Sequence, residues 1–238
     1  MKLCDLHNHV LPGVDDGAPD LATALQMLQN SVASDVAVLA VTPHCGHYYG
    51  NYMDETLRSR FAALQQAAEG LPVKLVLGAE ALADDRLLSQ LRLGNIPTLN
   101  GSRYLLTEFP GDAAPDDFTQ TLQDILQLGY VPLVAHPERY GAVCADPVVV
   151  LPWLEMGCHM QLTAGSIVGS YGAKPQKAAA YLLKNGLACC VASDAHGVNS
   201  RNNNLLEVQS YLALYYSRRC AEALLWENPM TIFQNGTF

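Results

Sequence analysis

The chain has 238 residues, half of them hydrophobic and only 16% charged, which suits one large core of the size that α/β barrels reach. A formal net charge of −9 speaks against non-specific nucleic-acid binding, because that depends on Lys and Arg neutralising phosphates. No stretch approaches the roughly 20 uninterrupted apolar residues of a membrane span, and the opening Met1-Lys2-Leu3-Cys4-Asp5 lacks a signal-peptide run, so a cytoplasmic protein without stable membrane insertion is expected.

Buried parallel strands are expected near residues 2–9, 36–43, 73–79, 103–108, 131–136, 158–163 and 188–194, where apolar runs are bounded by turn residues. The first helix is expected over 20–34, with Leu21, Ala24, Leu25 and Leu28 on one face. Others follow at 54–69, 84–93, 115–128, 146–156 and 174–185, and a longer helical C-terminus at 203–227. Residues 1–238 read as one domain, and this alternation favours a closed parallel barrel over an open sheet. The seven cysteines are odd in number and show no Cys-x-x-Cys spacing, so they are expected to be reduced packing residues rather than disulfides or zinc ligands.

The expected strands end in residues that a core would not choose. The first runs out in Asp5-Leu6-His7-Asn8-His9, where period-two alternation puts Asp5, His7 and His9 on one face, and Asp15-Asp16-Gly17 follows. Later strands end at His44, Glu80, Glu108 and His136, and the last at Asp194 and His196. In a parallel barrel all strand C-termini meet at one mouth, so these residues converge although they are far apart in sequence. With Asp16 they make nine ligand groups, too many for one ion of four to six coordination, and two or three divalent ions are implied. Mixed imidazole and carboxylate donors suit manganese, iron and zinc alike. Three ions against four carboxylates leave a positive pocket, which suits a phosphate despite the acidic chain.

The Asp5-x-His7-x-His9 motif resembles that of the PHP (polymerase and histidinol phosphatase) superfamily. The segments Val14-Asp15-Asp16-Gly17, Ile96-Pro97-Thr98-Leu99-Asn100, Ser102-Arg103-Tyr104, Ala135-His136-Pro137-Glu138-Arg139-Tyr140, Ala192-Ser193-Asp194-Ala195-His196 and Glu227-Asn228-Pro229 are similar to those of the CpsB/CapC-type tyrosine phosphatases of bacterial capsule and exopolysaccharide synthesis. The resemblance implies a distorted, TIM-barrel-like (β/α)7 barrel. It also implies a division of ligands: His7, His9, Glu80 and Asp194 on one ion, Glu80 bridging to a second held by Glu108 and His136, and Asp16, His44 and His196 on a third. Asp5 would stand behind the ligands, and Arg139 and Arg201 would hold the phosphate through their paired donors.

The implied chemistry is phosphomonoester hydrolysis by a hydroxide bridging metal ions, acting on a phosphotyrosine protein such as a bacterial tyrosine kinase. None of the seven cysteines has an Arg six positions later, which excludes the cysteine-based route to the same reaction. The alternatives are a histidinol-phosphate or other small-molecule phosphatase of the superfamily, and a regulatory protein that binds metal without catalysis. Oligomeric state is open, a homo-oligomer included. The loop after His44 must begin at the mouth, so His47, Tyr48 and Tyr49 are expected either to line the substrate entrance or to pack over a neighbouring helix.

Overall fold

The computed structural model describes residues 1–111 and 113–238. Its parallel strands fall into two sheets. Strands β1 (Leu3–Asp5), β2 (Val36–Val41) and β4 (Lys74–Leu77) form one. Strands β3 (His44–Cys45), β5 (Glu80–Leu82), β6 (Tyr104–Glu108), β7 (Val131–Ala135), β8 (His159–Thr163) and β9 (Cys190–Ala192) follow one another in the second.

Two interruptions make nine strands out of seven expected ones. Thr42-Pro43 separates β2 from β3, as proline offers no N–H to a ladder, and Gly78-Ala79 separates β4 from β5. The chain still runs on in register, since Gly78 N–H donates to Val41 O and Glu80 N–H to Pro43 O. The two sheet ends are joined by a parallel bridge between Asn8 and Ala195, with Asp194 N–H donating to His7 O and His9 N–H to Ala195 O. The result is a distorted barrel of seven positions.

Alternation along each strand divides the core. Val38, Ala40, Val76, Leu106, Leu133, Ala135 and Ala192 pack inside the barrel, whereas Leu39, Val41, Leu75, Val134 and Val191 face the surrounding helices. These include α1 (Leu21–Ala33), α2 (Glu55–Ala67), α3 (Leu87–Arg92), α4 (Pro115–Gln127), α5 (Gly141–Ala145), α6 (Leu151–Glu155), α7 (Ala164–Ile167) and α8 (Ala173–Lys184). Asp20 and Asp54 cap α1 and α2 by accepting from Thr23 N–H and Leu57 N–H, both at 2.8 Å.

The helical C-terminus expected over 203–227 is present as several short segments. It breaks after α9 (Leu205–Tyr215) and restarts at α10 (Arg218–Glu222), where Ser217 caps by accepting from Cys220 N–H. A π-helical turn (Ala223–Glu227) then leads into α11 (Asn228–Phe233). Ile232 and Phe233 of α11 pack on Leu99 and Tyr104 inside the barrel, and the Tyr104 hydroxyl donates to Gly236 O at 2.8 Å. This segment closes the end at which the strands begin, leaving the other end as the mouth. All seven cysteines are free and five are buried, so they pack. No helix among the described residues is long and apolar enough to cross a membrane.

The seam between first and last strands is held by Asp5. Its fully buried carboxylate accepts from Ser193 N–H (2.9 Å), Ser193 Oγ (2.6 Å), Asn8 Nδ2 (3.0 Å) and Asn203 Nδ2 (3.1 Å). Asp5→Ala strands several buried donors, and each left unpaired costs about 1–3 kcal/mol. Thermal or urea unfolding is expected to show a loss of about 3 kcal/mol or more, whereas a variant as stable as the parent would remove Asp5 from this role.

Candidate metal centre

The barrel brings the polar strand ends to its mouth as three overlapping groups of donor atoms: His7, His9, Glu80 and Asp194; His9, Asp16, His44 and His196; and His44, Glu80 and Glu108. His9 and His44 each stand in two of them, a sharing that strand order alone could not reveal. Glu80 is the common centre. Its Oε2 lies 3.1 Å from His7 Nε2, 3.1 Å from His9 Nε2 and 3.2 Å from His44 Nδ1, and its Oε1 lies 2.8 Å from His136 Nε2. His136 reaches Glu80 but stays 3.8 Å from Glu108, so it stands beside the three groups rather than within one.

Asp16 Oδ1 is 3.4 Å from both His44 Nε2 and His196 Nε2, and Asp194 Oδ1 is 3.5 Å from His7 Nε2 and 3.6 Å from His9 Nε2. Donors about 2.1 Å from a tetrahedral ion sit about 3.4 Å from one another, so these separations fit a shared cation. Two further observations support the fit. His7 Nε2 and His9 Nε2 face each other at 3.1 Å, which needs a proton or cation between them. Glu80 Oε2 and His196 Nε2 are buried without a hydrogen-bond partner among the described residues.

The imidazoles are oriented from behind. His7 Nδ1 meets Gln161 Oε1 at 2.9 Å, His9 Nδ1 meets Asp15 Oδ2 at 2.9 Å, and His196 Nδ1 meets Asp194 O at 3.0 Å. Each contact leaves the other ring nitrogen for the centre. Gln161 and Asp15 were missed by the sequence reading. Gln161 had a signal, as an amide inside an apolar strand, and Asp15 stood next to the chosen Asp16. Asp15 also accepts from Gly17 N–H and His44 N–H, tying the first and second strand ends together. Gly17 has no room for a side chain, since a Cβ there would fall 2.0 Å from His9 O.

Both arginines lie at this site. Arg139 Nη1 donates to Asp194 Oδ2 at 2.6 Å, and Arg201 Nη2 lies 3.1 Å from the same oxygen. Arg139 is placed by a left-handed His136 (φ 36) and the turn Pro137–Arg139, whose buried Glu138 accepts from Thr163 N–H at 2.9 Å. In the loop after His44, Tyr49 stacks on His44 with ring centroids 5.0 Å apart, Tyr48 is 85% exposed, and His47 packs edge-on to Tyr48 while its backbone N–H donates to Asp84. A cavity of about 250 Å³ lies between this loop, His44, Leu82 and Glu108.

The imidazoles and carboxylates of the centre shift one another's protonation in opposite directions. Burial pushes the His9 imidazole down, but its hydrogen bond to Asp15 and its close approach to the Glu80 carboxylate outweigh this and raise it to about 10. Burial pushes Glu80 up, yet the charge on His7, the hydrogen bond from His136 and the close approach of His7 and His9 hold it well below the usual carboxylate range. His196 is pushed down to about 2 by burial and by the charge on His9. It is therefore neutral, with a free lone pair.

These shifts set the stability of the chelated protein. His9 titrates higher when folded than when unfolded, near 6.5, so its contribution is complete below about pH 6.5 and is lost as pH rises through about 10. His196 titrates lower when folded, so its contribution is present above about pH 6.5 and is lost as pH falls toward about 2. Melting of the chelated protein is expected to peak near neutral pH and decline on both sides. A Tm that climbs steadily from pH 7 to 10 would contradict this balance.

Residues 3–234 match the family described as capsular polysaccharide synthesis, CpsB/CapC. Tyrosine-protein phosphatase YwqE of Bacillus subtilis is 31% identical over 99% of this chain and 93% of its own length. Tyrosine-protein phosphatase CpsB of Streptococcus pneumoniae is 30% identical over 98% of this chain and 99% of its own. A crystal structure from the pair YwqE of Bacillus subtilis and CpsB of Streptococcus pneumoniae, described as unique metal-dependent tyrosine phosphatases, superposes with a TM-score of 0.92 at 30% identity, covering 99% of this chain and 96% of that one. On a match that runs almost from end to end, this chain belongs to the CpsB/CapC family.

Proposed function

We propose that this chain is a metal-dependent protein-tyrosine phosphatase whose reaction takes place at the barrel mouth, with residues 1–238 as one functional unit. The observation that carries this reading is the pairing of a multi-carboxylate, multi-imidazole centre with two arginines that share Asp194. The family's relatives, named as tyrosine-protein phosphatases, supply the substrate class. A phosphorylated bacterial tyrosine kinase governing capsule or exopolysaccharide synthesis, met in the cytoplasm, is the substrate this reading assigns.

The ligands would be His7, His9, Asp16, His44, Glu80, Glu108, His136, Asp194 and His196, holding two or three ions of manganese, iron or zinc. When bound, such ions supply Lewis-acid polarisation of the phosphoryl group and acidify a water for attack. The protein does the rest. Asp15 and Gln161 fix the imidazole orientations, and Asp5 holds the Ser193-Asp194 turn in place behind them.

Arg139 and Arg201, each about one-third exposed at the mouth, offer guanidinium donors to the phosphoryl oxygens as negative charge develops there. The tyrosyl leaving group has a pKa of about 10 and departs with little help from a general acid, which fits a site rich in ligands and poor in spare acids. The aromatic ring of the substrate has a place beside Tyr48, Tyr49 and Leu82, in the cavity that adjoins His44 and Glu108.

The test is phosphate release by the metal-loaded protein from a phosphotyrosine peptide and from histidinol phosphate, with each metal in turn. Preference for the peptide is expected. Preference for histidinol phosphate would place the chain among small-molecule phosphatases, and release from neither would leave a metal-binding protein without this catalysis. In the same assay Arg139→Ala is expected to lower kcat/KM by about 10- to 150-fold, the equivalent of a lost charged hydrogen bond of about 1.5–3 kcal/mol, with metal content unchanged.

A further inference from the structure

Arg139 and Arg201 both lean on Asp194, which also belongs to the donor group of His7, His9 and Glu80. One carboxylate that must face both ways cannot alone fix where a long guanidinium side chain stands. The chain supplies Arg139 with a second support. The Arg139 guanidinium carbon lies 5.0 Å from the centroid of the Tyr171 ring. A cation over an aromatic face at this distance is attracted by the ring's negative face.

The ring has a built seat. Gly165, at the start of α7, leaves space that any side chain would fill, as a Cβ there would fall 2.7 Å from Tyr171 Cε2. Ser170 N–H donates to Gly165 O at 2.8 Å and Gly172 N–H to Gly169 O at 3.0 Å, with Gly169 and Gly172 at φ 88 and 92, so the turn carrying Tyr171 is bound back onto α7. The phenol feels the whole cluster: burial and then the Asp194 charge raise it above its usual range, while the charges of Arg201 and Arg139 and a contact of its hydroxyl with Arg201 draw it down.

We propose that Tyr171 is a positioning residue that holds Arg139 for phosphate binding through its ring face. The proposal rests on the reading of Arg139 as a phosphate contact. It predicts that the aromatic face, rather than the hydroxyl, holds Arg139.

The test uses the metal-loaded, full-length protein with two readouts: steady-state kinetics on a phosphotyrosine peptide, and calorimetric binding of inorganic phosphate. Tyr171→Leu is expected to raise KM and weaken phosphate binding by about 3- to 30-fold, with a smaller change in kcat and an unchanged metal content. Tyr171→Met, closer in volume and lacking the ring, should match it should the leucine variant fold poorly. Tyr171→Phe, which keeps the ring face, should stay closer to the parent than to either ring-less variant in both readouts. In an Arg139→Ala background, Tyr171→Leu should add no further weakening. Parent-like phosphate affinity in both ring-less variants, or a full additional loss in the Arg139→Ala background, overturns the proposal. Absence of peptide hydrolysis by the parent protein would count against the functional reading alone, because the phosphate affinities still decide the role of Tyr171.

Discussion

The constraint on which the site depends is the burial of Glu80. Its carboxylate is 1% exposed, and its two oxygens lie within 3.2 Å of nitrogens of His7, His9, His44 and His136. An ionised carboxylate removed from water persists only where positive charge compensates it. Protons on the imidazoles can serve in the chelated protein, and divalent ions serve better because they can occupy the space between the rings. The fold delivers Glu80 to this point by interrupting a strand. Gly78 admits Leu99 at a distance that a Cβ would close to 3.0 Å, and Glu80 N–H then re-enters the ladder on Pro43 O.

Around this centre the chain builds a polar layer that orients the donor groups from behind. Gln161, Asp15 and the Asp194 carbonyl each take one nitrogen of an imidazole, which determines the nitrogen turned to the centre. Asp5 does the same for the backbone by gathering Ser193, Asn8 and Asn203. His136 and Asp194 sit in the left-handed region, at φ 36 and 52, in the turns that carry these ligands off the strands. Such conformations persist only when the surroundings over-determine them, and the buried Glu138 and Asp5 contacts provide that determination.

Much of this was legible in the sequence because buried parallel strands are apolar, so a polar residue at each strand end stands out. That rule picks out His7, His9, His44, Glu80, Glu108, His136, Asp194 and His196, and the barrel brings them together. It could not reveal that His9 and His44 serve two donor groups, because sharing depends on ring orientation rather than on strand order. The partners behind the ligands were harder to read. Gln161 and Asp15 look like ordinary polar residues until the strand opposite them is known, and Tyr171 lies on a turn far in sequence from Arg139. The strand breaks at Thr42-Pro43 and Gly78-Ala79 are short, and the C-terminal helix breaks at Ser217 without a proline or glycine to announce it.

If Glu80 joins neighbouring ions, occupancy should be cooperative around it. Elemental analysis of reconstituted, gel-filtered protein measures this directly, comparing the parent chain with Glu80→Gln, which keeps the size of the side chain and removes its charge. The account predicts more than one divalent ion per chain in the parent and a loss of at least two-thirds of that content in the variant. One ion or fewer in the parent, or full occupancy in Glu80→Gln, would contradict it.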